Sequence, residues 1–230
     1  MTPIMGLSGM DSWSFHTSLS PSIAHRCVLH ASKRSPHTPS SLPVHDAVCG
    51  SSSMFSMVTF SAPPGTAPST NTGRSPRGPP PSHGGNMDNT AITTGATLYF
   101  PVAVEGALFG CGDMHAAMGD GEISVSGAEV AGYATVTLTA LPDLHLVDPL
   151  IENGTHLGII ASAESLDAAA DRAVHEMVDL LHDRTGVDEA ELVMLLSLVA
   201  DVQVCQMVDP QKTVRFMVPK YVLESLGFKL

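Results

Sequence analysis

The distribution of proline and serine divides this chain into two unlike parts, and this division constrains the fold more than any other feature. Residues 1–85 contain 12 of the 17 prolines and 18 serines, with five Lys or Arg and only two acids. Residues 86–230 contain 21 acids against six Lys or Arg. A segment rich in proline and serine, without sustained apolar periodicity, buries too little surface to offset its ordering entropy. We therefore expect residues 1–62 to form a disordered or loosely attached leader without regular contacts to the rest.

The net charge of −12 argues against the classes of protein that depend on clustered cations. Nucleic acids and anionic membrane surfaces both require such clusters, so neither is expected as a partner. No run approaches a membrane span, because the longest apolar region covers only residues 192–200. The four cysteines include no close pair, which argues against a zinc ribbon and a disulfide framework. We expect a protein of a reducing compartment, the cytoplasm.

Short extended runs begin at Thr97 and continue through the middle of the chain. The clearest is Tyr133–Thr139, whose alternation predicts a half-buried antiparallel strand. Pro101 predicts an edge position or a bulge for the first run, because proline cannot donate to a β-ladder. The other expected strands are residues 107–112, 122–127, 128–132 and 157–162.

Helical periodicity appears in the last third of the chain. Apolar residues over 166–181 recur mostly at spacings of three and four, which predicts an amphipathic helix capped by Ser165, with Gly186 just beyond its end. The elements expected after it are a helix over 188–200, strands over 202–208 and 213–218, and a short last helix. Strands first and helices later predict an α+β fold, in which a β-rich sandwich or barrel-like part precedes a smaller α+β C-terminal part and follows an irregular N-terminal leader.

Two glycine-rich loops concentrate polar side chains. The first is HGGNMDN, residues 83–89, and the second is GDMHAAMGDGE, residues 112–122. Glycines let a loop approach a ligand closely, so several side chains can aim at one point. On extended chain the i, i+2 spacing of Asp113 and His115 places both on one face, and Glu122 can return beside them. Carboxylates together with an imidazole favour zinc or a related divalent cation.

Several of these residues also have a purely structural interpretation. The turn around Asp120 needs no metal, since its carboxylate can satisfy turn amides. Cys111 could be an acyl-forming nucleophile, but a small buried residue at a strand end is the favoured interpretation. His145 and His156 are loop histidines that could line a pocket, and His175 falls on the solvated face of a helix.

The two loops and their surroundings resemble the acetamidase/formamidase family. The strings that carry the resemblance are HGGNMDN, GATLYFPVAVEGAL, GDMHAAMGDGE, SGAEVAG and LVMLLSLVADVQVCQMVDP. The resemblance covers about Gly78 to the C-terminus and does not extend to residues 1–62. It implies an amidase that releases ammonia and a carboxylate from small linear amides such as formamide and acetamide, with a divalent metal in its active region.

The resemblance also implies a domain organisation and, together with the loops, a set of roles. The expected parts are a disordered or non-family leader over 1–62, a Pro/Gly-rich linker over 63–94 that carries HGGNMD, and a family-like domain over 95–230 that is truncated at its N-terminal side. The expected metal ligands are Asp88, Asp113 and His115, for zinc or alternatively calcium. The expected catalytic residues are Glu122, Asp120 and Glu129. The expected substrate-binding residues are His83, Asn86 and Met118.

Two other functions stay open. Family members begin with a β-rich region that residues 1–62 do not resemble, so the chain could be a catalytically defective or incomplete member that acts only as a metal- or ligand-binding β domain. A cupin-like oxygen-using metal site is the third hypothesis, although cupins usually offer two histidines two positions apart and His115 stands alone. A small amide is the expected partner, and a homo-oligomer is left open.

Overall fold

The computed structural model describes residues 84–101, 109–130, 133–141 and 143–230, together with the backbone of four strands within the first 60 residues. In chain order the elements are β1 (Met5–Gly6), β2 (Trp13–Phe15), β3 (Ala24–His30), β4 (Met54–Phe60), β5 (Gly84–Asn86), β6 (Thr97–Phe100), β7 (Phe109–His115), β8 (Tyr133–Leu141), β9 (Leu150–Glu152), β10 (His156–Ala163), α1 (Leu166–Thr185), α2 (Glu189–Val199), β11 (Asp201–Gln206), β12 (Lys212–Pro219) and α3 (Lys220–Ser225).

The described strands form two antiparallel sheets. The large sheet has the order β1-β8-β3-β6-β9-β10-β12-β11, and the small sheet has the order β2-β7-β4-β5. One hydrophobic core joins the two sheets, and a second lies between the large sheet and the helices. The molecule is therefore layered as small sheet, large sheet and helices, which confirms the α+β prediction with its β-sandwich part.

Strands β6, β9, β10 and β12 of the large sheet are buried on both faces, and the strand period of two decides which side chain enters which core. In β6, Leu98 and Phe100 pack into the core shared with the small sheet, whereas Tyr99 packs into the helix-side core. In β12, Phe216 belongs to the helix-side core and Met217 to the other. This alternation also turns the polar odd-numbered residues of β12 toward the small sheet, where the functional loops lie.

The prediction that residues 1–62 lack regular contacts is wrong for four short segments. Strand β3 pairs with β6 and β8, and β4 pairs with β5 and β7, so both lie inside the sheets rather than beside them. The composition of the first part averages over flanking prolines and serines, which hides the short extended runs AHRCVLH and MFSMVTF. Segments of seven residues are long enough for a strand when the rest of the sheet supplies the partners. The domain boundaries near 62 and 94 stay predictions.

The helices follow the capping signals closely. The Ser165 hydroxyl accepts from the Ala168 amide at the start of α1, and Gly186 ends the helix at φ 71° while donating to the His182 carbonyl. Asp188 caps α2 by accepting from the Ala190 amide. None of the described helices combines the length and the hydrophobicity that crossing a bilayer requires.

Two details of the strand prediction need correction. Residues 122–130 are loop and turn rather than strands, because their hydrogen bonds close local turns and isolated bridges instead of a ladder, and residues 131 and 132 lie outside the described residues. Pro101 does not mark an edge strand, since β6 lies between β3 and β9. The strand ends at Phe100, so the proline falls just outside the ladder and removes no hydrogen bond from it.

Two leucines of α2 test which core stabilises the C-terminal part. Leu196 is buried in the core between the large sheet and the helices, whereas Leu198 on the same helix is 83% exposed. We expect Leu196→Ala to lower the free energy of unfolding by about 2–5 kcal/mol, because it opens a cavity that the surroundings fill only partly. Leu198→Ala should change it by less than about 0.5 kcal/mol. Urea unfolding of both variants measures this, and equal effects would contradict the assignment of the core.

Candidate functional site

His115 occupies the end of β7 and is the centre of the candidate site. Its side chain has no exposed surface, and neither ring nitrogen has a hydrogen-bond partner among the described residues. Nε2 lies 3.2 Å from a carboxylate oxygen of Glu129 and 3.4 Å from one of Asp113, in ion-pair rather than hydrogen-bond geometry. Burying an imidazole without hydrogen bonds lowers the free energy of unfolding by about 1–3 kcal/mol. A buried ring of this kind therefore points to a ligand that would bind it.

Four carboxylates surround this imidazole in two groups. Asp88 and Glu122 form a buried group with His115, and Asp113 and Glu129 form a more exposed group with the same ring. Within each group the candidate ligand atoms all lie within 4.8 Å of one another. We call these five residues the His115 site. They are five of the nine residues that the sequence predicts, drawn from its metal ligands and its catalytic acids.

The backbone at the site is held in an unusual conformation. Asp88, Asp113 and Glu122 have φ values of 42°, 58° and 45°, in the left-handed region that side chains with a Cβ rarely occupy. Such residues cost about 1–3 kcal/mol each and persist only where the surroundings over-determine them. Three of the four carboxylates of the His115 site share this feature, so their directions are set by the surrounding loops rather than by local backbone preference.

A short hairpin-like contact brings Glu129 back to the histidine. The amide of Ala128 donates to the carbonyl of Ala117 at 2.9 Å, and the amide of Ala116 donates to the carbonyl of Ala128 at 2.8 Å. His115 and Glu129 consequently face each other across an isolated antiparallel bridge. The returning chain also passes so close to the imidazole that a Cβ on Gly127 would overlap the ring.

The electrostatics of the site follow from burial and crowding. The Asp113 carboxylate raises the pKa of His115 above its ordinary value, with further contributions from Glu129 and Asp88 and opposition from burial. Burial raises the pKa of Glu122 and of Glu129, and neighbouring carboxylates add to both shifts. Burial and neighbouring anions both disfavour the charged form of a carboxylate. A nearby cation stabilises that charged form and therefore lowers the pKa of the carboxylate.

Asp120 belongs to a different network. Its carboxylate accepts from Arg215 at 2.6 Å and from the Thr90 hydroxyl at 2.7 Å, and Arg215 is almost fully buried. Neither group of the His115 site contains Asp120. The structural interpretation of this turn is therefore the better supported one, with the guanidinium as the partner rather than turn amides.

Asn86 connects the site to a residue that the sequence reasoning missed. Its Nδ2 donates to a carboxylate oxygen of Asp88 at 2.7 Å and to one of Asp209 at 3.0 Å. An amide nitrogen carries two hydrogens, so both are engaged with carboxylates and neither is left for a substrate. Asp209 lies in the turn after β11, within the string VCQMVDP, and only its place in the quoted family resemblance singled it out.

Four further residues are candidates from the sequence. Met118 is partly buried, and His83 lies outside the described residues. His156 pairs with the Thr155 hydroxyl at 2.8 Å. Burial raises the pKa of the Cys111 thiol to about 11, which makes it a poor nucleophile near neutral pH.

A comparison with known proteins finds acetamidases and formamidases among the relatives of this chain. A model of the Acetamidase/Formamidase family matches residues 67–225. The formamidase of Methylophilus methylotrophus is 44% identical over 66 residues, which cover 28% of this chain and 16% of that protein. The acetamidase of Mycolicibacterium smegmatis is 46% identical over 56 residues, or 24% of this chain and 14% of that protein. The chain thus matches less than one fifth of the length of these curated relatives.

Solved structures match over a larger share. A predicted acetamidase/formamidase from Thermoanaerobacter tengcongensis superposes with a TM-score of 0.76 at 31% identity, over 93% of this chain and 77% of that one. An acetamidase from Bacillus halodurans gives 0.77 at 32% identity, over 92% and 78%. Coverage this high includes part of residues 1–62, in agreement with the strand pairing of β3 and β4.

Two glycines test how tightly the loop encloses the imidazole. Gly127→Ala should lower the free energy of unfolding by about 1–3 kcal/mol, because the new methyl group collides with the His115 ring in a packed site. Gly119→Ala is the matched control, since nothing lies within 4 Å of its added Cβ. Its effect should stay below about 0.5 kcal/mol. Thermal and urea unfolding measure both, and a neutral Gly127→Ala would refute this packing.

The ion pair of Asp120 gives a second prediction. Asp120→Asn should cost about 1.5–3 kcal/mol of stability, because it removes a charged acceptor from a buried guanidinium. Asp171→Asn, at an acid that is 75% exposed, should cost less than about 0.5 kcal/mol. A variant with full stability and lost turnover would instead support the catalytic role that the sequence predicts for Asp120.

Proposed function

Because this chain belongs to the Acetamidase/Formamidase family, we propose that it hydrolyses small linear amides at the His115 site with the help of a divalent cation. The observation that carries the proposal is a fully buried imidazole without hydrogen bonds, set among the carboxylates of the two groups. The family match supports amide hydrolysis, and the donor set supports the cation. Formamide and acetamide are the proposed substrates, from the names of the relatives.

The donor set fits a divalent cation on chemical grounds. One imidazole and several carboxylates are ligands that zinc accepts, whereas calcium would use mainly the oxygens. We propose His115, Asp88 and Asp113 as ligands: His115 is common to both groups, Asp88 belongs to the buried group and Asp113 to the exposed one. When bound, the cation would polarise the amide carbonyl and make water a better nucleophile at neutral pH.

We assign the other two carboxylates to proton transfer. Burial raises the pKa of Glu122 above its ordinary value, which suits a group that accepts a proton from water and returns it to the leaving nitrogen. Glu129 faces His115 from the solvent side, with about half of its side chain exposed, and is the alternative base. Asp120 is not assigned a catalytic role here, because Arg215 and Thr90 occupy its carboxylate.

The positioning residues follow from the same contacts. Asn86 holds two carboxylates through its amide nitrogen, so we assign it to the site framework rather than to substrate binding. Gly127 packs against the ring and fixes its orientation. A homo-oligomer and a cytoplasmic location stay predictions from the sequence.

The second candidate function is cation binding without turnover. It is motivated by coverage, since the match spans 77–78% of the two solved chains, so that part of those proteins has no aligned counterpart here. Both functions require a cation at the His115 site, and only the first requires ammonia release. Turnover therefore separates them directly.

Ammonia release from formamide and acetamide tests the proposed activity. We expect turnover by the purified chain, a loss after treatment with a chelator, and recovery on adding Zn²⁺ or Ca²⁺. His115→Ala should lower kcat/KM by at least about 100-fold, because it removes a ligand. His175→Ala is the control, since that side chain is 72% exposed on α1.

The outcomes separate the candidates. Activity that survives both chelation and His115→Ala would refute the cation role of this site. Cation binding without ammonia release from either amide would favour the second function over the first.

A further inference from the structure

We propose that Asp209, in the turn between β11 and β12, is a further acidic residue of the cation site and acts as a positioning residue for Asp88. The two carboxylates accept from the same Nδ2 of Asn86, at 3.0 and 2.7 Å, although 123 residues separate Asn86 from Asp209 in the chain. This inference rests on the proposed function, since it concerns the cation held by the same site.

The turn that carries Asp209 is fixed by one buried side chain. Gln206 has no exposed surface, and its Oε1 accepts from the amides of Val208 and Asp209 at 3.1 and 3.0 Å. Its Nε2 donates to the Gln211 carbonyl and to the Thr213 hydroxyl at 2.6 and 3.0 Å. The donor nitrogen and the acceptor oxygen of the Gln206 side-chain amide are both hydrogen-bonded. These bonds fix the turn and, with it, the position of Asp209.

A second contact ties the same turn to the loop of the site. Gly121, next to Glu122, pairs with Gln206 in a parallel bridge. Its amide donates to the Cys205 carbonyl at 2.9 Å, and its carbonyl accepts from Met207 at 3.1 Å. The chain just before Glu122 and the chain just before Asp209 are therefore joined by main-chain hydrogen bonds.

If the only role of Asp209 were to stabilise this turn, its side chain would not need a negative charge. Asp209 adds an anion to a region that already contains Asp88 and Glu122, and like charges at close range oppose folding. The Lys212 ammonium donates to the Asp209 carbonyl at 2.6 Å and offsets part of this repulsion, and a bound cation would offset more of it. The carboxylate should therefore cost the metal-free protein stability and contribute to cation affinity, which is the opposite of what a structural acid does.

The experiment compares two neutralising variants of the full-length protein. Asp209→Asn keeps the shape and an acceptor oxygen while removing the charge. Asp201→Asn makes the same change in net charge at the far, exposed end of β11. Each protein is freed of metal, its thermal midpoint is measured, and Zn²⁺ binding is measured by calorimetry, with His115→Ala as the reference for loss of the site.

We expect Asp209→Asn to weaken Zn²⁺ binding about tenfold, as is typical of residues that orient metal ligands, and to leave the metal-free thermal midpoint unchanged or raised. Asp201→Asn should bind Zn²⁺ within about twofold of wild type. A lower metal-free midpoint with wild-type affinity would overturn the inference, because it would make Asp209 a structural acid. Wild-type affinity in His115→Ala would instead refute the cation site itself.

Hydrogen exchange of the wild-type protein provides a measurement that needs no variant. Zn²⁺ should slow exchange at the amides of Val208 and Asp209, because binding steadies the turn through Asn86. Slower exchange over residues 113–122 without any change at those two amides would contradict the inference while leaving the cation site intact.

Discussion

The guanidinium of Arg215 is the contact on which the functional region depends. It lies in β12 with little exposed surface, and its nitrogens donate to Asn89, Thr90, Asp120 and Gln203. These partners come from the loop that carries Asp88, from the loop that carries Glu122, and from β11. A buried charge is tolerated only when its hydrogen-bond donors are satisfied. Burial of Arg215 therefore requires that the three segments lie together around its guanidinium.

The layered sheets explain how the arginine reaches these loops. Because β12 is buried on both faces, its alternate residues enter different cores, and Arg215 lies on the face opposite Phe216. The helices cover the other face and take no part in the His115 site. The fold therefore separates a helix-side core from a small-sheet side that carries the His115 site.

The His115 site is built at a cost to local stability. Three of its carboxylates have positive φ, its histidine has no hydrogen-bond partner among the described residues, and burial raises the pKa of Glu122 and Glu129 with a contribution from Asp113 to both. The proposed cation would relieve the electrostatic part of this cost, and the strained backbone would keep the ligand atoms aimed in its absence. Strain and crowding of this kind are typical of binding sites and are rare in purely structural clusters.

Local signals predicted the C-terminal part well. Ser165, Gly186 and Asp188 bound the helices as expected, because capping depends on side chains within three residues of the helix end. The His115 loop was also predicted, since glycines with acids and a histidine over eleven residues are informative by themselves. The strands β3 and β4 were missed, because a short strand in a proline-rich context is stabilised by partners that are distant in sequence.

The amino-acid sequence by itself determined the helices, the acidic second part and the residue types of the site, because periodicity, caps and charge are local properties. Only the tertiary structure decided which acids meet the histidine. It placed Asp120 against Arg215, 95 residues away, and brought Asp209 to Asn86 across 123 residues. Contacts over such separations depend on sheet register and on buried hydrogen bonds, and no spacing rule within either loop contains that information.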